Sequence, residues 1–89
     1  MQPSDVKALL ESRIDGCDFY IQGEGCNFQV IAVGEVFGGL SPVKRQQLIY
    51  SALGDEIASG AVHAVSIKTY TPAQWQGAPE NPDTRNQDA

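Results

Sequence analysis

Near the start of the chain, apolar residues recur at helical spacing: Val6, Leu9, Leu10 and Ile14 share one face. Ser4 is placed to cap this helix over roughly residues 5–14, with Asp5 near its positive end, and Gly16 ends it. From Cys17 the period falls to two. Cys17, Phe19 and Ile21 alternate with Asp18, Tyr20 and Gln22, which predicts a half-buried strand. A compact turn over 23–26 leads to a second strand over 28–36. Its apolar residues fall on both faces, Phe28, Val30 and Ala32 on one and Ile31 and Val33 on the other, so it belongs in the middle of a sheet.

Ser41-Pro42 marks the next helix start, a capping hydroxyl followed by proline at the first helical position. The helix should run to about residue 58 with Ile49, Tyr50, Leu53 and Ile57 inward, although Gly54 inside it costs about 1 kcal/mol relative to alanine. Gly60 suits a left-handed cap. A third strand is predicted over 63–70, opening at His63. Thr71-Pro72-Ala73-Gln74 then forms a capping box for a short helix that carries Trp75, expected as a lid over the sheet.

The element order is α-β-β-α-β-α, an α+β fold with a three-stranded mixed sheet and helices packed on one face. The 89 residues allow one domain, over 1–76. Residues 77–89 have almost no apolar content and are expected to form a disordered tail.

Composition narrows the function classes. No apolar run approaches the roughly 20 residues that span a bilayer, and the N-terminus lacks the pattern of a secretory signal, so the cytoplasm is the expected location. Six basic against eleven acidic residues give a net charge of −5. Bulk electrostatic attraction to nucleic acid is therefore disfavoured. Lys44, Arg45 and Lys68 are the candidates for a local basic contact, with Lys7 and Arg13 further off in sequence.

Two cysteines do not make a disulfide framework. With Cys17 low on a strand and Cys26 in the turn above it, the rise separates them by more than about 10 Å, beyond disulfide reach. Cys17 reads as a small buried hydrophobe, whereas Cys26, between glycine and asparagine, is the better thiolate candidate. No nucleophile–base–acid set is visible. Gly23-x-Gly25 leads into a strand, so it is no phosphate loop. Binding is favoured over catalysis, and the chain is read as no enzyme.

His63 is the only histidine. Its imidazole is suited to metal ligation or proton transfer. It also shares strand parity with Val65 and Ile67, which equally fits a part-buried structural histidine. Any metal bound here needs ligands from outside the chain, since no Cys-x-x-Cys pair is present.

Three stretches taken together resemble the BolA family: residues 28–39, the helix start Ser41-Pro42-Val43-Lys44-Arg45-Gln46-Gln47, and, most specifically, the segment from Val62-His63 to Thr71-Pro72-Ala73-Gln74-Trp75. The resemblance covers about residues 4–76 and lies nearest the family's short bacterial branch. It implies an αββαβ fold similar to a type II KH domain. It also implies a monothiol (CGFS-type) glutaredoxin as partner, a monomer forming a heterodimer on binding, and a shared [2Fe-2S] cluster. Glutathione and the glutaredoxin cysteine would supply the other ligands, and His63 would be this chain's own. Imidazole in place of thiolate raises a cluster's potential, which suits iron–sulfur trafficking or iron, redox and stress regulation.

The family often draws a second ligand from the first hairpin loop. The expected position holds Glu24 here, and Cys26 lies two residues on. Carboxylate is the poorer iron–sulfur ligand, so Cys26 is favoured, with Glu24 as the alternative and His63 alone as a third arrangement. The resemblance also implies a second function, transcriptional regulation through weak DNA contact by Lys44, Arg45 and Lys68.

Overall fold

The structure, a computed structural model, describes residues 2–25 and 27–79, with Glu24 described by its backbone. Helix α1 spans Pro3–Arg13, starting two residues earlier than Ser4 capping implied. Proline at the first helical position lacks the N–H that would go unpaired there, and the Asp5 carboxylate accepts the Gln2 backbone N–H at 2.9 Å. Strands β1 (Cys17–Glu24) and β2 (Asn27–Gly34) form an antiparallel hairpin. A 3-10 helix over Glu35–Gly39 takes in the residues expected to end the second strand and buries Phe37.

Helix α2 (Pro42–Ala52) starts as predicted, with Ser41 Oγ accepting from the Lys44 N–H. It does not run to residue 58. The ladder breaks at Leu53, and a separate short helix α3 covers Gly54–Ser59. Strand β3 (Ala64–Tyr70) then pairs in parallel with β2, which places β2 in the centre. A parallel pair needs a crossover connection, and the stretch from the 3-10 helix through α3 provides it. Helix α4 (Pro72–Gln76) has the predicted capping box: Thr71 Oγ1 accepts from Gln74 N–H, and Gln74 Oε1 from Thr71 N–H.

The main core joins Val6 and Leu10 of α1, Phe19, Phe28, Val30 and Ala32 of the hairpin, and Ile49, Leu53 and Val62 from the crossover. Inward positions on α2 are Leu48, Ile49, Ala52 and Leu53. Tyr50 and Ile57, expected inward, are exposed. Tyr50 lies about 100° around the helix from Ile49, and Ile57 falls beyond the break. The three-stranded mixed sheet thus carries α1 and α2 on one face. The short α4 lays Trp75 on the other face, stacked on Tyr20 at 5.2 Å and tilted against Tyr70 at 5.3 Å. Ile31 and Val33 point to that face and are buried too, which accounts for the double-sided apolar pattern of β2. Ala78 is buried and donates to the Trp75 carbonyl, so packing continues to there; residues 80–89 of the expected tail lie outside the described residues.

Replacing Gly54 tests the helix break. A Cβ there meets nothing within 4 Å, so Gly54→Ala should raise the unfolding free energy by roughly 0.5–1 kcal/mol. Urea denaturation reads the change. A loss of stability would show that the break needs glycine.

Candidate functional site

The site is built at the end of β3. Gly60 closes α3 with φ 85°, the left-handed conformation that favours glycine. Val62 N–H then bonds the Glu56 carbonyl at 3.0 Å, and the Val62 side chain enters the core. His63 follows, one residue ahead of the strand rather than opening it, and Ala64 pairs with Asn27. The backbone is therefore fixed on both sides of His63 while its side chain is exposed. This corrects the part-buried reading. Strand parity identifies the core-facing side, but the row containing Ala64 and Asn27 is already at the exposed rim.

The hairpin turn lies at the same end of the sheet. Glu24 pairs with Asn27 through the backbone, and Asn27 pairs with Ala64. Cys26 lies outside the described residues, and so does the side chain of Glu24. Open depressions beside the turn are lined by Gln22, Gly23, Gln29 and Ser66, none of them ionised. Among the described residues no three His, Cys, Asp or Glu side chains converge. An exposed imidazole on a pinned backbone is a competent single donor for iron. The donor chemistry thus fits one ligand of a centre completed from elsewhere.

Cys17 is a free thiol at the opposite end of β1, packed against the core. Burial and the nearby Asp18 charge push its pKa up, which makes it a poor thiolate source.

Lys44 and Arg45 lie in the first turn of α2, whereas Lys68 lies within β3 on the face opposite the core-packed Val65 and Ile67. Arg45 also has a structural role: Nε donates to the Leu40 carbonyl and Nη1 to Gln74 Oε1, both at 3.1 Å, tying α2 to α4.

One polar cluster had no sequence signal. Arg13, at the end of α1, donates through Nη1 to the Ala52 carbonyl and to Glu56 Oε1, and through Nη2 to Glu56 Oε2 at 3.4 Å. The hydrogen bond from Arg13 holds the Glu56 carboxyl below the usual range, and the same bond raises Arg13. Because the folded value is depressed, the stabilisation is present above the unfolded glutamate value of about 4.3. It is lost as pH falls through the lower folded value. Comparing thermal midpoints of wild type and Glu56→Gln from neutral pH to below about pH 4 should show the wild-type advantage shrinking in acid. An advantage that grows in acid would contradict the assignment.

Comparison with known proteins places this geometry. The family model for BolA-like proteins matches residues 3–74. The chain belongs to the BolA family. It is 45% identical over 75 residues to the acid stress protein IbaG of Escherichia coli K12, covering 84% of this chain and 89% of that protein. It is 38% identical over 85 residues to the DNA-binding transcriptional regulator BolA of Vibrio cholerae, covering 91% of this chain and 76% of the relative. Among solved structures, a BolA homologue from Coxiella burnetii superimposes with a TM-score of 0.78 at 30% identity, over 85% of this chain and 97% of that one. The Escherichia coli and Vibrio relatives are named as a stress protein and a regulator, not as enzymes. No helix among the described residues is long and apolar enough to cross a membrane.

Proposed function

We propose that this BolA-family chain is an accessory protein that binds a monothiol glutaredoxin and contributes His63 to a shared [2Fe-2S] cluster, in iron–sulfur trafficking or iron and redox regulation. The observation that carries the reading is His63 itself: exposed, fixed by its backbone on both sides, and at the sheet end that also holds the hairpin turn. A pre-positioned donor loses little conformational freedom on binding. The cluster, once bound, supplies the electron-accepting iron, and imidazole ligation raises its potential. Cys26, with Glu24 as the alternative, is the proposed second contributor, and glutathione and the glutaredoxin cysteine complete the set. The cytoplasm is the proposed location.

The test is reconstitution with a monothiol glutaredoxin, glutathione, iron and sulfide, followed by visible circular dichroism. The expected result is a spectrum that differs from that of glutaredoxin alone. Equal glutaredoxin binding with and without iron would reduce the chain to a scaffold.

The second reading is weak DNA contact, favoured by the name of the Vibrio relative. Its proposed contacts, Lys44, Arg45 and Lys68, stand on a chain of net charge −5, and Arg45 already spends donors on Leu40 and Gln74. A salt-titrated DNA-binding assay with and without glutaredoxin separates the readings, since phosphate contacts weaken steeply with salt.

A further inference from the structure

Helix α3 buries none of its residues, so apolar packing does little to fix it. The break at Leu53 also detaches it from the regular ladder of α2. Between the core residues Leu53 and Val62 that flank it, the contacts made by the helix itself are polar. Arg13 reaches from α1 to the last carbonyl of α2, at Ala52, and to both carboxylate oxygens of Glu56. Glu56 in turn offers its backbone carbonyl to Val62 N–H at 3.0 Å and to Ser59 Oγ at 3.2 Å. Val62 immediately precedes His63.

We propose that Arg13 and Glu56 are positioning residues for His63: the clasp fixes α3 against α1 and α2, and the Glu56 carbonyl then fixes where the chain turns into β3. A planar guanidinium that satisfies a carbonyl and a carboxylate together defines an orientation, which a single point charge would not. The consequence for iron ligation rests on the reading of His63 as a ligand, but the mechanical coupling of Arg13 to Val62 does not.

The test uses the full chain with Arg13→Gln, Glu56→Gln and the charge-swapped pair Arg13→Glu/Glu56→Arg. Native-state amide exchange by NMR reads local opening. In either single variant, Val62 N–H should exchange about tenfold faster, while the central-strand Val30 N–H changes less than about twofold. The swapped pair should recover part of the Val62 protection. Equal acceleration at Val62 and Val30 would overturn the proposal, because the clasp would then serve only general stability. No acceleration at Val62 would overturn it as well.

With glutaredoxin, iron, sulfide and glutathione added, the single variants should shift the visible dichroism toward that of His63→Ala, and the swapped pair should shift it back. An unaltered spectrum in variants whose Val62 exchange has accelerated would remove the link to the ligand. Should His63→Ala itself leave the spectrum unchanged, the ligand reading fails while the exchange result still decides the coupling.

Discussion

His63→Ala should abolish the mixed cluster with a monothiol glutaredoxin and leave the fold intact. The imidazole is exposed, so its truncation removes no core packing, and surface changes of this kind stay within about 0.5 kcal/mol. Backbone fixation at Val62 and Ala64 uses main-chain bonds that alanine keeps. The variant should therefore show a wild-type thermal transition and a visible dichroism spectrum reduced to that of glutaredoxin alone. Cys26→Ala should only weaken the cluster, because one ligand from this chain remains. If Glu24 is the second contributor, the weakening moves to Glu24→Ala. An unchanged spectrum in the His63 variant would remove the main claim whichever of the two contributes.

Gly34→Ala should destabilise the fold substantially. A Cβ at Gly34 would lie 2.6 Å from Cys17 Sγ and 2.9 Å from the Gly16 carbonyl oxygen. Gly34 pairs directly with Cys17, where β1 begins. The sulfur belongs to a side chain packed on the core and the oxygen to the backbone, so neither has much room to move. Overpacking of this kind costs about 1–3 kcal/mol, against a total of about 4–13 kcal/mol expected for a chain of this length. Cys17→Ala should recover part of the loss, since it removes the sulfur and leaves the carbonyl. Urea denaturation of both single variants and the double variant gives the coupling. Strictly additive effects would show that the thiol is not what the methyl meets.

Where local chemistry decides a feature, the sequence announced it. Ser41-Pro42 and Thr71-Pro72-Ala73-Gln74 start helices where they should, Gly60 takes the left-handed cap, and the two-sided apolar run of β2 occupies the sheet centre. Trp75 as a lid was legible from its capped helix after β3, but its place on the face opposite α1 and α2 was not, since the helices were expected on one face. Features that depend on distant packing were not. The start of α1 shifts because Pro3 and Asp5 suit an earlier start than Ser4 does. The break at Leu53 turns a continuous stripe into two helices and puts Ile57 outside. Arg13 and Glu56 are 43 residues apart, and nothing in their local patterns pairs them.

The candidate site divides along the same line. That His63 sits at a helix–strand corner was readable from Gly60 and the apolar alternation after it. Its exposure was not, because parity identifies a face and not how far the core extends along it. The basic residues were read as a group from composition, yet Arg45 spends two donors on Leu40 and Gln74, a use visible only once α4 is folded against α2.

Having a single histidine makes the central claim directly testable. The chain can be produced with 15N-histidine, combined with unlabelled glutaredoxin and glutathione, loaded with iron and sulfide, and reduced for pulsed electron paramagnetic resonance. Ligation by His63 predicts a strong nitrogen coupling to the reduced cluster that changes from the 14N to the 15N pattern when this chain alone is labelled. A reduced cluster with no such coupling, or with a coupling indifferent to the label, would contradict it.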